Sequence, residues 1–279
     1  MALRTLSLVV TDETRDAPAL AAAAAIAQRE DAHLDVVTLG VEPVPLEALP
    51  MASAQILIES GRTEALAQAK RLADWAQAAI PVGTRAAVEP VSAQSLGLSS
   101  LAARAARHSD LAVCGRPYGP GAGALASVVG ESLLFGAMVP VLFVPDSGGD
   151  WSRPWRRVCI AWNESDEALR AVRGALPLLK AAGQVDIAIV DPPLHAPDRA
   201  DPGGALSLWL ARHGVRCEVA VMARTEPRIA DVLLRFCRER GGEALVMGAY
   251  GHSRLREAVL GGATRDMLSE LPLPVVMAR

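Results

Sequence analysis

The sequence predicts an α/β protein built from two tandem doubly wound domains, each a five-stranded parallel sheet covered by helices. Three observations carry this. Of 279 residues, 51% are hydrophobic but only 4% aromatic, so the core must come from Ala, Val and Leu, the usual content of Ala-rich helices packed on Val-rich strands. Apolar runs of about four to seven residues alternate with helical patterns of about 10–18, the mark of βαβ units whose parallel strands are buried on both faces. The same order of elements then occurs twice, at a period of roughly 135–155 residues, far longer than a solenoid repeat.

Taken in order, the first copy opens with the apolar run Leu6 to Val10 and the second with Val158 to Trp162. Each is followed by a polar turn, Thr11-Asp-Glu-Thr and Asn163-Glu-Ser-Asp, and an Ala-rich helical pattern. The runs His33 to Leu39 and Val185 to Val190 come next and close on proline-bearing loops, Glu42-Pro43 and Asp191-Pro-Pro193, where the ring denies the ladder a donor. Thr84 to Val88 pairs with Val215 to Val221, and the helical stretch Ser95 to Arg107 with Pro227 to Arg240. Leu111 to Gly115 pairs with Ala244 to Gly248, and both copies finish on Pro-Val plus apolar residues, at Pro140 and Pro274. Pro145 to Asp150 has the composition of a linker. The expected domains are 1–147 and 153–279.

The formal charge of −3 supplies no basic excess for a phosphate backbone, so nucleic acid is not an expected partner. Cys114, Cys159, Cys217 and Cys237 are widely spaced, with no C-x-x-C pair, and read as reduced core thiols. The N-terminal run meets the acidic Asp12 without a hydrophobic leader segment or cleavage site. No apolar run nears the roughly 18 residues needed to span a bilayer. A cytoplasmic protein without a membrane partner is expected.

In an open parallel sheet, ligands sit beyond the carboxyl ends of the strands where strand order reverses, which directs attention to the loops after Trp162, Val190 and Met247. The last is the richest. Met247-Gly-Ala-Tyr-Gly251 is followed by nine residues and then Gly261-Gly-Ala-Thr264, with a helical pattern over Ala263 to Glu270. Glycines there free backbone N–H groups to approach an anion, and a helix N-terminus adds partial positive charge. The Thr264 hydroxyl could meet a phosphate oxygen or cap the helix. The spacing is neither G-x-G-x-x-G nor a Walker loop. The bland reading, that Gly248 and Gly251 merely shape a turn, stands beside it.

The segment Met247 to Thr264, ending in Pro274-Val-Val-Met, resembles the universal stress protein family, whose nucleotide-binding members carry G-x-x-G, nine residues, then G-S/T. Gly248, Gly251 and Gly261 match in identity and spacing, whereas Gly262 stands where Ser or Thr is usual, two residues before Thr264. The resemblance extends along essentially the whole chain through Ala161-Trp-Asn-Glu-Ser and Val10-Thr-Asp-Glu-Thr. It implies a Rossmann-like fold of the adenine nucleotide alpha hydrolase type, with the two copies paired as a pseudo-dimer through their last strands. It also implies a site for ATP or AMP in the second copy. Ala161 and Asn163 lie on the first-strand loop, Val190 and Asp191 form the other base-side wall, and Met247 lies by the ribose. Gly248, Gly251, His252, Gly261, Gly262, Ala263 and Thr264 surround the phosphates. Asn163 replaces the family's base-contacting Asp, and capping of the following helix is its alternative role.

Copy one departs from the pattern: Gly115-Arg-Pro-Tyr-Gly119 is one residue too long, Pro120 follows, and Gly130-Glu-Ser-Leu lacks the phosphate motif, although Asp12 matches the base-contacting Asp. Of His252, Arg254 and Arg256, one at most is expected on ligand. Arg153, Arg156 and Arg157 read as a solvated linker edge, and Trp75, Trp151, Trp155, Trp162 and Trp209 as packing residues. No G-x-S-x-G elbow or H-E-x-x-H motif occurs. ATP hydrolysis would need Mg2+, which Asp191 or Asp266 could hold if the fold brings them close. The expectation is a nucleotide-binding stress or regulatory protein that acts on a protein partner and could form a further homodimer. A non-binding interaction module of the same fold and a weak ATPase are the alternatives.

Overall fold

A computed structural model describes residues 2–42, 51–192, 201–249 and 262–279. The first half of the chain runs β1 (Thr5–Val10), α1 (Ala17–Glu30), β2 (His33–Glu42), α2 (Met51–Ala79), β3 (Ala86–Gln94), a 3-10 turn at Ser95–Gly97, α3 (Leu98–Ala106), β4 (Leu111–Cys114), α4 (Ala126–Gly136) and β5 (Val141–Phe143). The second half runs β6 (Arg157–Ala161), α5 (Asp166–Gly174), α6 (Leu176–Ala181), β7 (Gln184–Val190), α7 (Gly204–Arg212), β8 (Cys217–Met222), α8 (Ile229–Arg240), β9 (Ala244–Gly248), α9 (Gly262–Glu270) and β10 (Val275–Ala278).

The described strands form one ten-stranded sheet in the order β3-β2-β1-β4-β5-β10-β9-β6-β7-β8. Within each half every pairing is parallel, as the continuous apolar runs require. The halves meet through the antiparallel pair β5 and β10, with Val275 opposite Phe143 and Met277 opposite Val141. The last strands of the two copies therefore pair, as the resemblance implies. Alternating side chains feed two apolar layers that both run across the seam. One layer holds Leu8, Leu142, Ile160 and Val276, the other Val9, Phe143, Leu245 and Val275.

Helix α1 illustrates how the sequence builds a layer. Its buried stripe is almost all alanine, from Ala19 to Ala27 with Leu20 and Ile26, which lets the helix lie close on the sheet. Pro18 interrupts nothing, because it falls in the first turn, where no intrahelical donor is needed. The strand expected to end at Val88 continues to Gln94 through Pro90. β3 is an edge strand, where a proline's missing N–H costs little. The connection near residue 150 is pinned rather than loose: one Nη of Arg29 donates to the carbonyl oxygens of Trp151 at 3.2 Å and Arg153 at 3.0 Å. No helix among the described residues is long and apolar enough to cross a membrane.

Candidate functional site

In the second half, strand order reverses between β6 and β9, and the expected site residues gather at the carboxyl ends of these strands. Ala161 closes β6 directly opposite Met247 of β9, and Ala188 of β7 lies on its other side, two residues short of Val190. Met247 is buried, while Ala161 and Val190 are half-buried. Asp191 turns out of β7 with φ +49°, its N–H donating to the Met222 carbonyl at 2.8 Å.

Gly248 is needed for close packing. A Cβ there would stand 2.5 Å from the Ala168 nitrogen and 2.9 Å from the Glu167 carbonyl carbon, so the first turn of α5 rests directly on the end of β9. Helix α5 is capped by Ser165, whose hydroxyl oxygen accepts from the Ala168 N–H at 3.2 Å. The capping role considered for Asn163 thus belongs to Ser165. Asn163 supports the cap from behind, its Oδ1 accepting from the Ser165 hydroxyl at 2.8 Å and N–H at 3.3 Å. That leaves the Asn163 amide as a donor, able to meet a ring nitrogen of a base.

On α9, Gly262 is exposed, Ala263 half-buried and Thr264 buried. The first turn of α9 contains no acidic residue, although Asp266, one turn on, brings a carboxylate beside it. Among the described residues, a side chain at Gly262 would meet only Asp266 Oδ2, at 3.9 Å. Gly251, His252 and Gly261, with Tyr250, Arg254 and Arg256, lie outside the described residues. Among the described residues no three His, Cys, Asp or Glu side chains converge as a metal site.

The first half has a crevice of its own where order reverses between β1 and β4, a cavity of about 310 Å3 lined by Thr11, Arg15, Asp16, Cys114, Arg116 and Asp146 among others. Its polar groups are largely spent on one another. Asp12 Oδ1 accepts from the N–H groups of Thr14 at 2.9 Å and Arg15 at 3.0 Å, which occupies the carboxylate aligned with the family's base contact. Asp16 Oδ2 accepts from the N–H of Thr11 at 2.7 Å and of Asp12 at 3.1 Å. Burial nevertheless raises its pKa above the ordinary carboxylate value, with the Asp12 charge adding to the rise. Arg116 is held by Asp146 at 2.5 Å. A carboxylate floor and an already paired arginine make this crevice a poor phosphate cradle.

Of the arginines after the linker, Arg156 has an exposed side chain as expected, whereas Arg153 and Arg157 are half-buried and paired. Arg153 forms a two-pronged pair with Glu243 at 3.0 and 3.1 Å, and holds the Glu243 carboxyl below its ordinary pKa. The Arg156 backbone N–H donates to the same carboxylate at 2.7 Å. Arg157 pairs at 2.9 Å with Asp186, whose side chain is 1% exposed. Spacing along the chain could not reveal these partners, which lie on β7 and just before β9. The cysteines are free, with Cys114, Cys159 and Cys237 buried. All five tryptophans pack in or against one core layer.

Residues 154–279 match the model of the Universal stress protein family. A universal stress protein of Synechocystis is 28% identical over 100 residues, which cover 33% of this chain and 34% of that protein; the match spans about a third of that relative's length. Over 98% of the chain and 96% of the other, the fold is that of a universal stress protein from Archaeoglobus fulgidus, with TM-score 0.68 at 17% identity. A functionally unknown protein from Pseudomonas aeruginosa shares the fold with TM-score 0.57 at 20% identity, over 99% of this chain and 92% of that one. The stretch that matches the Universal stress protein family model, residues 154–279, is also the one that keeps the glycine-rich loop.

Proposed function

We propose that the second half, 153–279, is a domain that binds an adenine nucleotide, ATP or AMP, and that 1–147 is a degenerate domain of the same kind. The observation that carries this is the convergence of Ala161, Met247 and Gly248 at the carboxyl ends of two neighbouring central strands, at the reversal point where such sheets bind ligands. The chain leaves β9 there and returns as α9, whose first turn holds no acidic residue of its own. Asn163, Val190 and Asp191 face the base, while Gly251, His252, Gly261, Gly262, Ala263 and Thr264 take the phosphates. Nucleotide occupancy in a cytoplasmic protein then changes a surface read by a protein partner.

Calorimetry tests the reading with ATP and AMP on the wild type and on Gly251→Val. Heat with the wild type and none with the variant is expected; a wild type silent toward both nucleotides overturns it. A non-binding interaction module is favoured by one specific departure, Gly262 in place of a hydroxyl. It requires a melting temperature unmoved by millimolar ATP, since any ligand of the folded state must raise stability. Slow ATP hydrolysis is the third reading, with Asp191 and Asp266 the carboxylates offered to Mg2+. It requires phosphate release that falls in Thr264→Ala or Asp191→Ala.

A further inference from the structure

Helix α9 joins the two crevices. Because β5 and β10 are antiparallel, the carboxyl ends of the first-half strands lie at the edge of the sheet where β10 begins. The helix starts on the second-half side, at Gly262, and its last turn comes down beside the loop that follows β4. There one Nη of Arg116 donates to the Ser269 carbonyl oxygen at 3.1 Å. The rest of that guanidinium is fixed: its other Nη donates to the Pro120 carbonyl at 2.7 Å, and Nε donates to Asp146 at 2.9 Å. The side chain is 15% exposed. Gly119 has φ +93°, and a Cβ there would lie 2.5 Å from the same Ser269 oxygen, so the loop reaches α9 only with glycine at this position. Arg265 of α9 lies 5.5 Å over the Tyr118 ring, a second contact of the same loop on the same helix.

The last carbonyl groups of a helix have no partner within it and form its negative pole, which a cation stabilises. Helix α9 carries no basic residue in its own last turn. Its terminal Glu270 is balanced by Arg228 at 2.7 Å, and the cation on its carbonyls comes from the other half of the chain. The lengthened loop after β4 thus grips its neighbour's helix.

We propose that Arg116 is a positioning residue for the nucleotide in the second half: it holds α9 by its C-terminal end so that the first turn, Gly262 to Thr264, stays aligned with the phosphates. This rests on the nucleotide reading above. It makes the first half a working part of the second-half site. Only the phosphates sense α9, because the base-side residues Asn163, Val190 and Asp191 sit on the loops after β6 and β7.

The experiment compares ATP and adenosine binding to the full chain in the wild type, Arg116→Ala and Gly119→Ala. Backbone hydrogen exchange of α9 is measured alongside on the nucleotide-free proteins. In both variants ATP affinity is expected to fall about tenfold, within the usual range for a residue that acts through an intervening element, while adenosine affinity stays. Exchange at residues 262–270 is expected to quicken, with β9 unchanged. A wild type that binds ATP, together with variants that lose ATP and adenosine equally or lose neither, overturns the positioning role and leaves the nucleotide reading standing. A wild type that binds neither ligand overturns the nucleotide reading. Unchanged exchange of α9 in Arg116→Ala overturns the tether whatever the ligand does.

Discussion

Asp186 sits in the middle of β7 with no exposure, one carboxylate oxygen paired to Arg157 and the other without a hydrogen-bond partner among the described residues. Removing one member of such a pair strands a charge in the interior, while replacing both with apolar groups of similar size removes the problem altogether. Arg157→Leu is expected to lower stability in urea by about 3 kcal/mol, and the double change Arg157→Leu with Asp186→Leu to return to within about 1 kcal/mol of wild type. A double variant no better than the single one would show that the pair is irreplaceable in this core. Read along the chain, Arg157 belongs to a run of arginines beside a linker, and only the β6–β7 register places it near Asp186. For that reason the charged residues were the least legible part of the sequence, whereas the apolar strand residues could be read almost one by one.

At the level of elements, strands and helix starts were legible because each is a local pattern. Ala244 to Gly248 is a strand as expected, and the helix expected from Ala263 is already present at Gly262, the first described residue after the loop. What the pattern could not show was why each glycine is where it is. Gly248 looks like a phosphate-loop glycine, yet its described neighbour is the first turn of α5. Gly248→Ala is expected to lift α5 from β9 and cost about 2 kcal/mol, as overpacking against backbone does, seen as a lower urea midpoint. Gly262 is the converse case, where among the described residues a Cβ would meet only Asp266 Oδ2, at an ordinary 3.9 Å. Gly262→Ser leaves stability unchanged and, by restoring a hydroxyl at the first turn of α9, is expected to tighten ATP about fivefold, the worth of one hydrogen bond of about 1 kcal/mol. Calorimetry on the two variants separates the roles: loss of stability in the first, gain of affinity in the second. The 3-10 turn before α3 and the run of β3 through Pro90 escaped the sequence reading because both depend on position in the sheet.

For the whole molecule, the two core layers cross the β5–β10 seam without a break, so the halves share one interior. Unfolding in urea is expected to be a single transition, with tryptophan fluorescence and far-ultraviolet circular dichroism coincident. Phe143→Ala, at the seam and fully buried, is expected to move that transition by about 3–5 kcal/mol without splitting it. Two separated transitions would mean that the halves fold independently. The duplication behind this architecture could be read from the order of elements alone, whereas the grip of the first half on α9 could not, since Arg116 and Ser269 are brought together only by the antiparallel seam.

A sheet of ten strands still has two ends, and they differ. The β3 end carries Pro90 beside Thr38 of β2, and a proline has no N–H to offer an incoming strand. The β8 end reads Cys-Glu-Val-Ala-Val-Met without proline, and Val219 and Val221 on it are exposed. Any polymerisation by strand addition must therefore begin at β8. Two molecules joined β8 to β8 would present only proline-bearing edges to a third, so such growth terminates at a pair and never becomes a filament.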